Sequence, residues 1–294
     1  MWPNPYLSRL KQRLLHRFLP SVVDWLTWLA TFEARRRLKK MPRIRLLVDN
    51  SVLAHAVTHE TATISTGVEL WGGVVPFDTG YSARIPVHLV DDATETYKNI
   101  CFIPGIAYLA RKGLIDLCQS AELRAETYYQ PVGRFKGYGY LDYSLLSGVH
   151  MDSVDGTVFP TLGPRWMGLP SAKEQQGRRI SGYGDPLHVS LVAELGSKHS
   201  QDAWHLCTAE NKNLYAFLTT DFKFRRQVRA RSRREPLISM NARVLTPKEF
   251  GEELSIAPLP PIFFSYHNAS FFVRTDVTMP NGRRRPVTAY RSRE

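Results

Sequence analysis

Hydrophobic residues in this chain form short runs that alternate with helical patterns. The run RIRLLV (43–48) is apolar and carries β-branched residues, and DNS (49–51) follows it directly, which is typical of a buried strand leading into a helix. Helix alternating with apolar strand predicts a parallel sheet covered by helices. Later elements repeat this pattern: a predicted helix over 202–213, predicted strands over 214–220 and 243–246, and a predicted helix over 247–254 that opens with Pro247.

The middle of the chain gives weaker patterns. Residues 57–98 are rich in Thr, Gly and Val with faint alternation, which predicts short strands and loops. Residues 104–130 show leucines at helical spacing and are predicted to be helical as far as Pro131. Residues 131–196 are rich in Gly, Pro and Tyr, and their lack of periodicity predicts an insertion or a binding loop.

Both ends of the chain differ from the middle. Residues 1–42 form a basic segment with a helical pattern, and we expect its tryptophan-rich part to pack on the main domain. The apolar stretch 18–32 is too short to cross a bilayer and is interrupted by a proline and an aspartate, so no transmembrane segment is predicted. The tail 256–294 is rich in Pro and Arg, with one predicted strand around 270–277.

Charge and cysteine usage narrow the choice of partner and compartment. The chain has 39 Lys and Arg against 27 Asp and Glu, a net charge of +12. Such a surplus is typical of proteins that bind nucleic acid or an anionic membrane surface, although a solvated basic surface explains it equally well. The three scattered cysteines contain no C-x-x-C pair, which argues against a disulfide framework and favours a reducing, cytoplasmic location.

Three aspartates are the first candidates for chemistry. Asp49 and Asp221 each directly follow an apolar strand, and Asp202 opens the helix before the second of these strands. Open parallel sheets bind ligands at the carboxyl ends of their strands, and Mg²⁺ and Mn²⁺ prefer carboxylate oxygens. Taken singly, each aspartate is also explained as a helix cap or turn residue. The combination predicts a metal site.

Four segments resemble PIN-domain nucleases. LLVDNSVLAHA (46–56) is similar to the opening strand of that family, and DAWHLCTAENKNLYAFLTTDFKF (202–224) is similar to its second acidic block. RVLTPKEFGEEL (243–254) is similar to the closing strand and helix, and SAELRAE (120–126) to the element that carries a helical glutamate. The similarity covers 43–56, 102–130 and 197–255, roughly a third of the chain.

The resemblance implies a fold, an activity and a set of site residues. It implies a three-layer α/β/α PIN-like domain over 43–255 with a central parallel sheet and long insertions at about 57–98 and 131–196. It implies a metal-dependent endoribonuclease in which Asp49, Glu126, Asp202 and Asp221 hold one or two Mg²⁺ or Mn²⁺ ions. Glu122 lies one helical turn from Glu126 and competes for the helical position.

Other residues are candidates for substrate contact. Asn50 follows Asp49, so the hydroxyl predicted to line the site is that of Ser51. The basic run RRQVRARSRR (225–234) is either a solvated face or the surface that grips RNA, through Arg225, Arg226 and Arg229. GRFKGYGY (133–140) fits base stacking and a tight turn equally well.

Histidines offer a weaker alternative chemistry. His55 and His59 have the i, i+4 spacing of some zinc sites on the helix predicted after Asp49, but the intervening residues lack the glutamate of zincins. Packing on the helix face is favoured, contact with a substrate phosphate comes next, and zinc binding is the least favoured. His205 is predicted to be a core residue, or a residue that supports the ligands, rather than a ligand itself.

The sequence therefore supports a metal-dependent ribonuclease that uses four carboxylates. A catalytically silent PIN-like module that binds RNA or protein is the alternative, and a toxin or antitoxin-type partner protein is disfavoured by the chain's length. Assembly into a homo-oligomer stays open.

Overall fold

A computed structural model describes residues 21–88, 94–127, 145–146, 148–156, 168–264 and 271–272. Its centre is a parallel sheet of five strands in the order β5-β4-β1-β6-β7. These strands are β1 (Ile44–Val48), β4 (Ile115–Gln119), β5 (Met151–Ser153), β6 (Ala216–Leu218) and β7 (Arg243–Leu245).

Helices cover the sheet on both faces. Leu46 and Val48 of β1 belong to one buried cluster and Leu47 to another, as expected for a strand whose side chains alternate between two covered faces. The protein is thus an α/β protein with a central parallel sheet, compatible with three layers. The described helices are α1 (Phe32–Leu38), α2 (Asn50–His55), α3 (Glu95–Ile100), α4 (Ile103–Arg111), α5 (Ala121–Thr127), α6 (Ala172–Gly182), α7 (Pro186–Leu195), α8 (Ser200–Asn211), α9 (Phe222–Arg231) and α10 (Pro247–Leu254). Short 3₁₀ turns occupy Ser197–His199 and Pro261–Phe264.

Segments with strong local signals agree with the sequence predictions. Strands β1, β6 and β7 and helices α8 and α10 lie within one or two residues of their predicted positions. Helix α10 begins at Pro247, and Thr246 forms a reciprocal capping box with Glu249. A cap of this kind stabilises a helix by about 1 kcal/mol.

The single helix predicted over 104–130 is wrong. Helix α4 ends near Gly113, whose φ of 67° is the left-handed conformation that commonly terminates helices. The chain then forms β4, which pairs with β1, before α5 begins. A strand buried on both faces is almost continuously apolar, so leucines on either side of it imitate helical periodicity.

The irregular segment predicted over 131–196 is also partly wrong. Helices α6 and α7 and strand β5 lie within it, and Pro186 occupies the first position of α7, where a proline is tolerated. GRFKGYGY (133–140) lies outside the described residues.

Residues 59–86 form one long hairpin and helix α3 begins at Glu95, instead of the short strands and loops predicted over 57–98. Strand β2 (His59–Trp71) pairs antiparallel with β3 (Val75–Pro86), with an irregularity between Ser65 and Gly67. Strand β8 (Phe271–Phe272) adds to β3 and is the described part of the strand predicted around 270–277.

The tryptophan-rich segment packs on the domain as predicted. Residues 21–30 are helical and lead into α1, where Ala34 and Leu38 join the main buried cluster. In the parts of the chain that the structure describes, no helix has the length and apolarity needed to cross a membrane.

Candidate active site

The candidate site lies at the carboxyl edge of the central sheet, where the order of the strands reverses. From β1 the chain builds the sheet to one side through β4 and β5 and then returns to β6 on the other side. Such a switch point leaves a crevice between the two central strands, and open α/β sheets bind ligands there. Asp49 follows β1 and Asp221 follows β6 by three residues, so both stand at this edge.

Backbone hydrogen bonds fix the two loops that leave these strands. The amide of Asp49 donates to the carbonyl of Leu218 over 2.9 Å, and the amide of Thr219 donates to the carbonyl of Leu245 over 3.0 Å. The ladder therefore continues past the strand ends, and it holds both loops close to the sheet.

Asp49 is a buried carboxylate that does not act as a helix cap. Although it stands at the N-cap of α2, its side chain accepts no capping hydrogen bond from the backbone amides of that helix. Its Oδ2 instead accepts hydrogen bonds from the hydroxyls of Ser51, over 2.5 Å, and Thr219, over 2.6 Å. Structural capping thus fails to explain this aspartate.

Burial raises the pKa of Asp49 above its ordinary value. The hydroxyls of Ser51 and Thr219 and the charge of His205 act in the opposite direction, and the negative charge of Glu126 adds to the rise. A nearby cation would stabilise the ionised form of a carboxyl group whose pKa is raised in this way.

Asp202 is the second carboxylate with a raised pKa. It lies in the first turn of α8, and burial raises its pKa to about 6, with further increases from the charges of Asp49 and Asp221. His205 and His199 lower it, and the Nδ1 of His199 lies 3.4 Å from its Oδ2. For both Asp49 and Asp202, burial contributes more to the raised pKa than like charge does.

Glu126 belongs to a buried network of side chains. Its Oε1 accepts hydrogen bonds from Nε2 of His205 over 2.9 Å and Nε2 of Gln176 over 2.7 Å, and its Oε2 accepts one from Nδ2 of Asn50 over 3.1 Å. Burial alone would raise the pKa of Glu126, but the charge and hydrogen bond of His205 and the two amides lower it below its ordinary value. Glu126 is therefore ionised, and it anchors α5 to α2, α6 and α8.

His205 is a titratable base that lies among these acids. Its ring is almost fully buried, which lowers its pKa, but Glu126, Asp49 and Asp202 raise it to a net value above the ordinary one. The predicted burial of His205 is confirmed, and its hydrogen bond to Glu126 agrees with the alternative of a residue that supports the site.

Glu122 faces a different partner from Glu126. It forms a two-pronged ion pair with Arg179, whose Nε and Nη2 lie 2.9 and 2.7 Å from its oxygens. Only 5% of Glu122 is exposed, so this pair is a buried structural contact between α5 and α6.

The different partners of the two glutamates lead to a testable difference. We expect Glu126→Gln to impair cleavage strongly, because the amide loses the charge that balances His205 beside the aspartates. Glu122→Gln should instead lower the free energy of unfolding by roughly 1–3 kcal/mol, because it leaves Arg179 without its charged partner. Urea unfolding and cleavage rates of both variants test this, and the reverse ranking of cleavage would move the assignment to Glu122.

Asp221 caps a helix while it contributes charge to the site. Its Oδ1 accepts hydrogen bonds from the amides of Lys223 and Phe224 at the start of α9, over 2.8 and 3.0 Å. Its negative charge also contributes to the raised pKa of Asp202. Structural capping explains the geometry of this aspartate, and its proximity to Asp202 leaves a second role open to it.

The three candidate arginines of α9 have different surroundings. Arg225 forms a two-pronged ion pair with Glu249, over 2.7 and 3.0 Å, so its charge is already engaged. Arg226 is exposed, and the structure shows no ion pair to it from any described residue. Arg229 lines a cleft beside β7.

The structure also bears on how a metal could be held. Among the described residues, no group of three or more His, Cys, Asp or Glu side chains is arranged to hold a metal ion. Asn50 Oδ1 and Thr220 Oγ1 are buried oxygens with no hydrogen-bond partner in the described part of the chain, and each adjoins one of the aspartates in sequence. The helical i, i+4 pair expected for the zinc alternative is wrong, because α2 ends at His55 and His59 begins strand β2.

Four polar residues of the site were missed or misjudged in the sequence: Asn50, Gln176, His205 and Thr219. A signal existed for two of them. His205 stands three residues after Asp202, on a neighbouring part of the same helix, and Thr219 stands two residues before Asp221. No local signal marks Gln176, because its contact with Glu126 spans 50 residues.

Comparisons with protein-family models, with curated proteins and with solved structures found no match to this chain. The likeness to PIN domains therefore rests on the sequence segments that carry it.

Proposed function

We propose that this protein is a metal-dependent ribonuclease whose centre is formed by Asp49, Asp202 and Asp221, with Glu126 and His205 alongside. The observation that carries the proposal is a pair of buried carboxylates, Asp49 and Asp202, whose charges interact unfavourably at the switch point of a parallel sheet. Buried like charges are costly, and they are commonly retained where a cation binds or a reaction takes place. The resemblance to PIN domains supplies the reaction class.

The donor chemistry fits Mg²⁺ or Mn²⁺. Mg²⁺ keeps several water molecules and needs only one or two protein carboxylates together with substrate phosphates. Asp49 and Asp202 would meet this requirement, even though no group of three ligands is formed in the described chain. The chemistry supplied by such an ion, when bound, is neutralisation of the scissile phosphate and orientation of the attacking water.

The chain's own residues prepare this centre. The hydroxyls of Ser51 and Thr219 fix the orientation of the Asp49 carboxylate, and both loops are tied to the sheet by backbone hydrogen bonds. The Nε2 of His205 lies 2.9 Å from Oε1 of Glu126, next to the aspartates, and Glu126, Asp49 and Asp202 raise the pKa of this ring. Protonation of His205 would therefore limit the mutual repulsion of the aspartates. Such preorganised charge costs no rearrangement during the reaction.

RNA is the proposed substrate, and its proposed contacts are Arg226 in α9 and Arg233 just after it, both exposed. Helix α9 begins at Phe222, immediately after Asp221, so its basic face starts beside the site. The net charge of +12 supports a polyanionic substrate.

Salt dependence tests these contacts. We expect the variant Arg226→Ala, Arg233→Ala to bind RNA more weakly and to flatten the plot of log binding constant against log salt concentration by about 0.7 per lost phosphate contact. Arg234→Ala is the control, because its guanidinium already lies 3.2 Å from Glu194. An unchanged slope in the double variant would make this face a solvated surface.

The function itself is tested by incubating the purified protein with mixed RNA in Mg²⁺, in Mn²⁺ or in EDTA. Internal cleavage that requires the metal is the expected result. A catalytically silent RNA-binding module is the competing function, favoured by the full set of hydrogen bonds on Glu126 and the capping role of Asp221. RNA binding without cleavage in either metal would decide for that module.

A further inference from the structure

The hairpin of β2 and β3 is a long arm with an apolar tip. Strand β2 has 13 residues, which corresponds to roughly 40 Å at about 3.3 Å per residue. All residues from 65 to 76 are exposed, so the outer part of the arm extends away from the body of the protein. Its apolar side chains are exposed by more than half: Val68, Leu70, Trp71, Val74 and Val75.

An arm of this kind calls for a binding partner. A two-stranded hairpin is only marginally stable alone in water, and a contiguous exposed apolar patch marks a surface for interaction. The arm also carries Glu60, Glu69 and Asp78 against a single arginine, so it is acidic within a chain of net charge +12. Acidic charge argues against RNA or an anionic membrane as the partner of the arm.

A cleft on the same protein has the complementary properties. It lies between α9 and β7, has a volume of about 350 Å³, and its floor includes Val228, Leu237 and Met240. Three arginines also line it, namely Arg225, Arg229 and Arg243. Arg225 and Arg243 are paired with Glu249 and Glu253, whereas the structure shows no ion pair to Arg229 from any described residue. The cleft therefore offers an apolar floor and an unneutralised cation to a partner that is apolar and acidic.

We propose that the tip of the hairpin docks into this cleft on a second copy of the chain, and that two copies exchange their arms reciprocally. The tip is exposed on its own chain, so its own cleft does not take it. Reciprocal exchange uses each surface twice and closes a two-fold dimer, whereas one-way docking would continue into a chain. Glu69, at the tip of one copy, pairs with Arg229 of the other. This proposal does not depend on the ribonuclease activity.

Sedimentation of the full-length protein at several concentrations tests the exchange. The expected mass is twice that of the chain. Leu70→Asp, Glu69→Arg and Arg229→Glu should each weaken the dimer by about tenfold or more, because each puts a charge in an apolar contact or opposes like charges. The double variant Glu69→Arg, Arg229→Glu should restore it, which simple damage to the fold cannot do.

Trp25→Asp is the matched control. Trp25 is 59% exposed on the helix of residues 21–30, a second apolar patch with no role in the proposed contact, so this variant should remain dimeric. Circular dichroism establishes that each variant is folded. A monomer at all concentrations, a charge swap that fails to restore the dimer, or a dimer lost in Trp25→Asp would overturn the proposal. Binding of the monomeric protein to phosphatidylcholine and phosphatidylserine vesicles, abolished by Leu70→Asp, would assign the arm to a membrane instead.

Discussion

Replacing Asp49 with Asn is expected to reduce metal-dependent RNA cleavage by at least about 100-fold, the scale seen when one electrostatic group is removed from an active site. The amide keeps the shape of the side chain and can still accept a hydrogen bond from Ser51 or Thr219. It lacks the negative charge that would hold Mg²⁺ or Mn²⁺. Single-turnover cleavage of a labelled RNA with saturating Mn²⁺ measures the effect.

Asp202→Asn and Asp221→Asn should have effects of similar size. Asn replaces Asp well at a helix N-cap, so Asp221→Asn keeps the start of α9 and removes only the charge. This variant therefore separates the capping role of Asp221 from its proposed role in the site.

Asp185 provides the matched control for these substitutions. It caps α7 through hydrogen bonds from the amides of Leu187 and His188, the same local role that Asp221 plays for α9. Asp185→Asn should leave cleavage unchanged. If Asp49→Asn retained full activity in the purified protein, Asp49 would be removed from the site.

The sequence predicted those parts of the fold whose signals are local. Strand β1 and helix α10 combine a recognisable apolar pattern with a cap or a proline at a defined position, so nearby residues suffice to predict them. Asp49 and Asp221 could be assigned to one edge of the sheet for the same reason, since each directly follows a recognisable strand.

The parts of the fold and of the site that the sequence did not predict depend on contacts between distant residues. Whether Leu117 lies on a helix or a strand is decided by pairing with Leu46, which is 71 positions earlier in the chain. The choice between Glu122 and Glu126 is likewise decided by Arg179 and His205, on helices more than 50 residues away. Sequence spacing on α5 cannot distinguish the two glutamates, because one helical turn separates them.

Removing the negative charge of Asp202 should stabilise the metal-free protein near neutral pH. Burial raises the pKa of Asp202 from 3.8 in the unfolded chain to about 6 in the fold. The folded state therefore binds the proton of Asp202 more tightly than the unfolded state does. The contribution of this group to the free energy of unfolding is fully present below about pH 4 and is lost as the pH rises through about 6. Above that range the ionised carboxylate costs on the order of 1–3 kcal/mol.

Thermal unfolding in EDTA at pH 4 and pH 7.5 measures this cost. We expect Asp202→Asn to raise the melting temperature by several degrees at pH 7.5 and to change it little at pH 4, where Asp202 is already protonated. Mg²⁺ or Mn²⁺ should raise the melting temperature of the unmodified protein by mass action, and should do so less in the variant.

Asp221→Ala is the contrasting variant, because it removes both a charge and a cap. Loss of the hydrogen bonds to Lys223 and Phe224 should cost about 1 kcal/mol, so this variant should melt at a lower temperature. Replacing an aspartate whose main role is structural destabilises the fold. Replacing an aspartate that is retained to bind a cation stabilises the metal-free protein. If Asp202→Asn lowered the melting temperature at pH 7.5 in EDTA, Asp202 would be a structural partner of His199 and His205, and the repulsion on which the metal site rests would be absent.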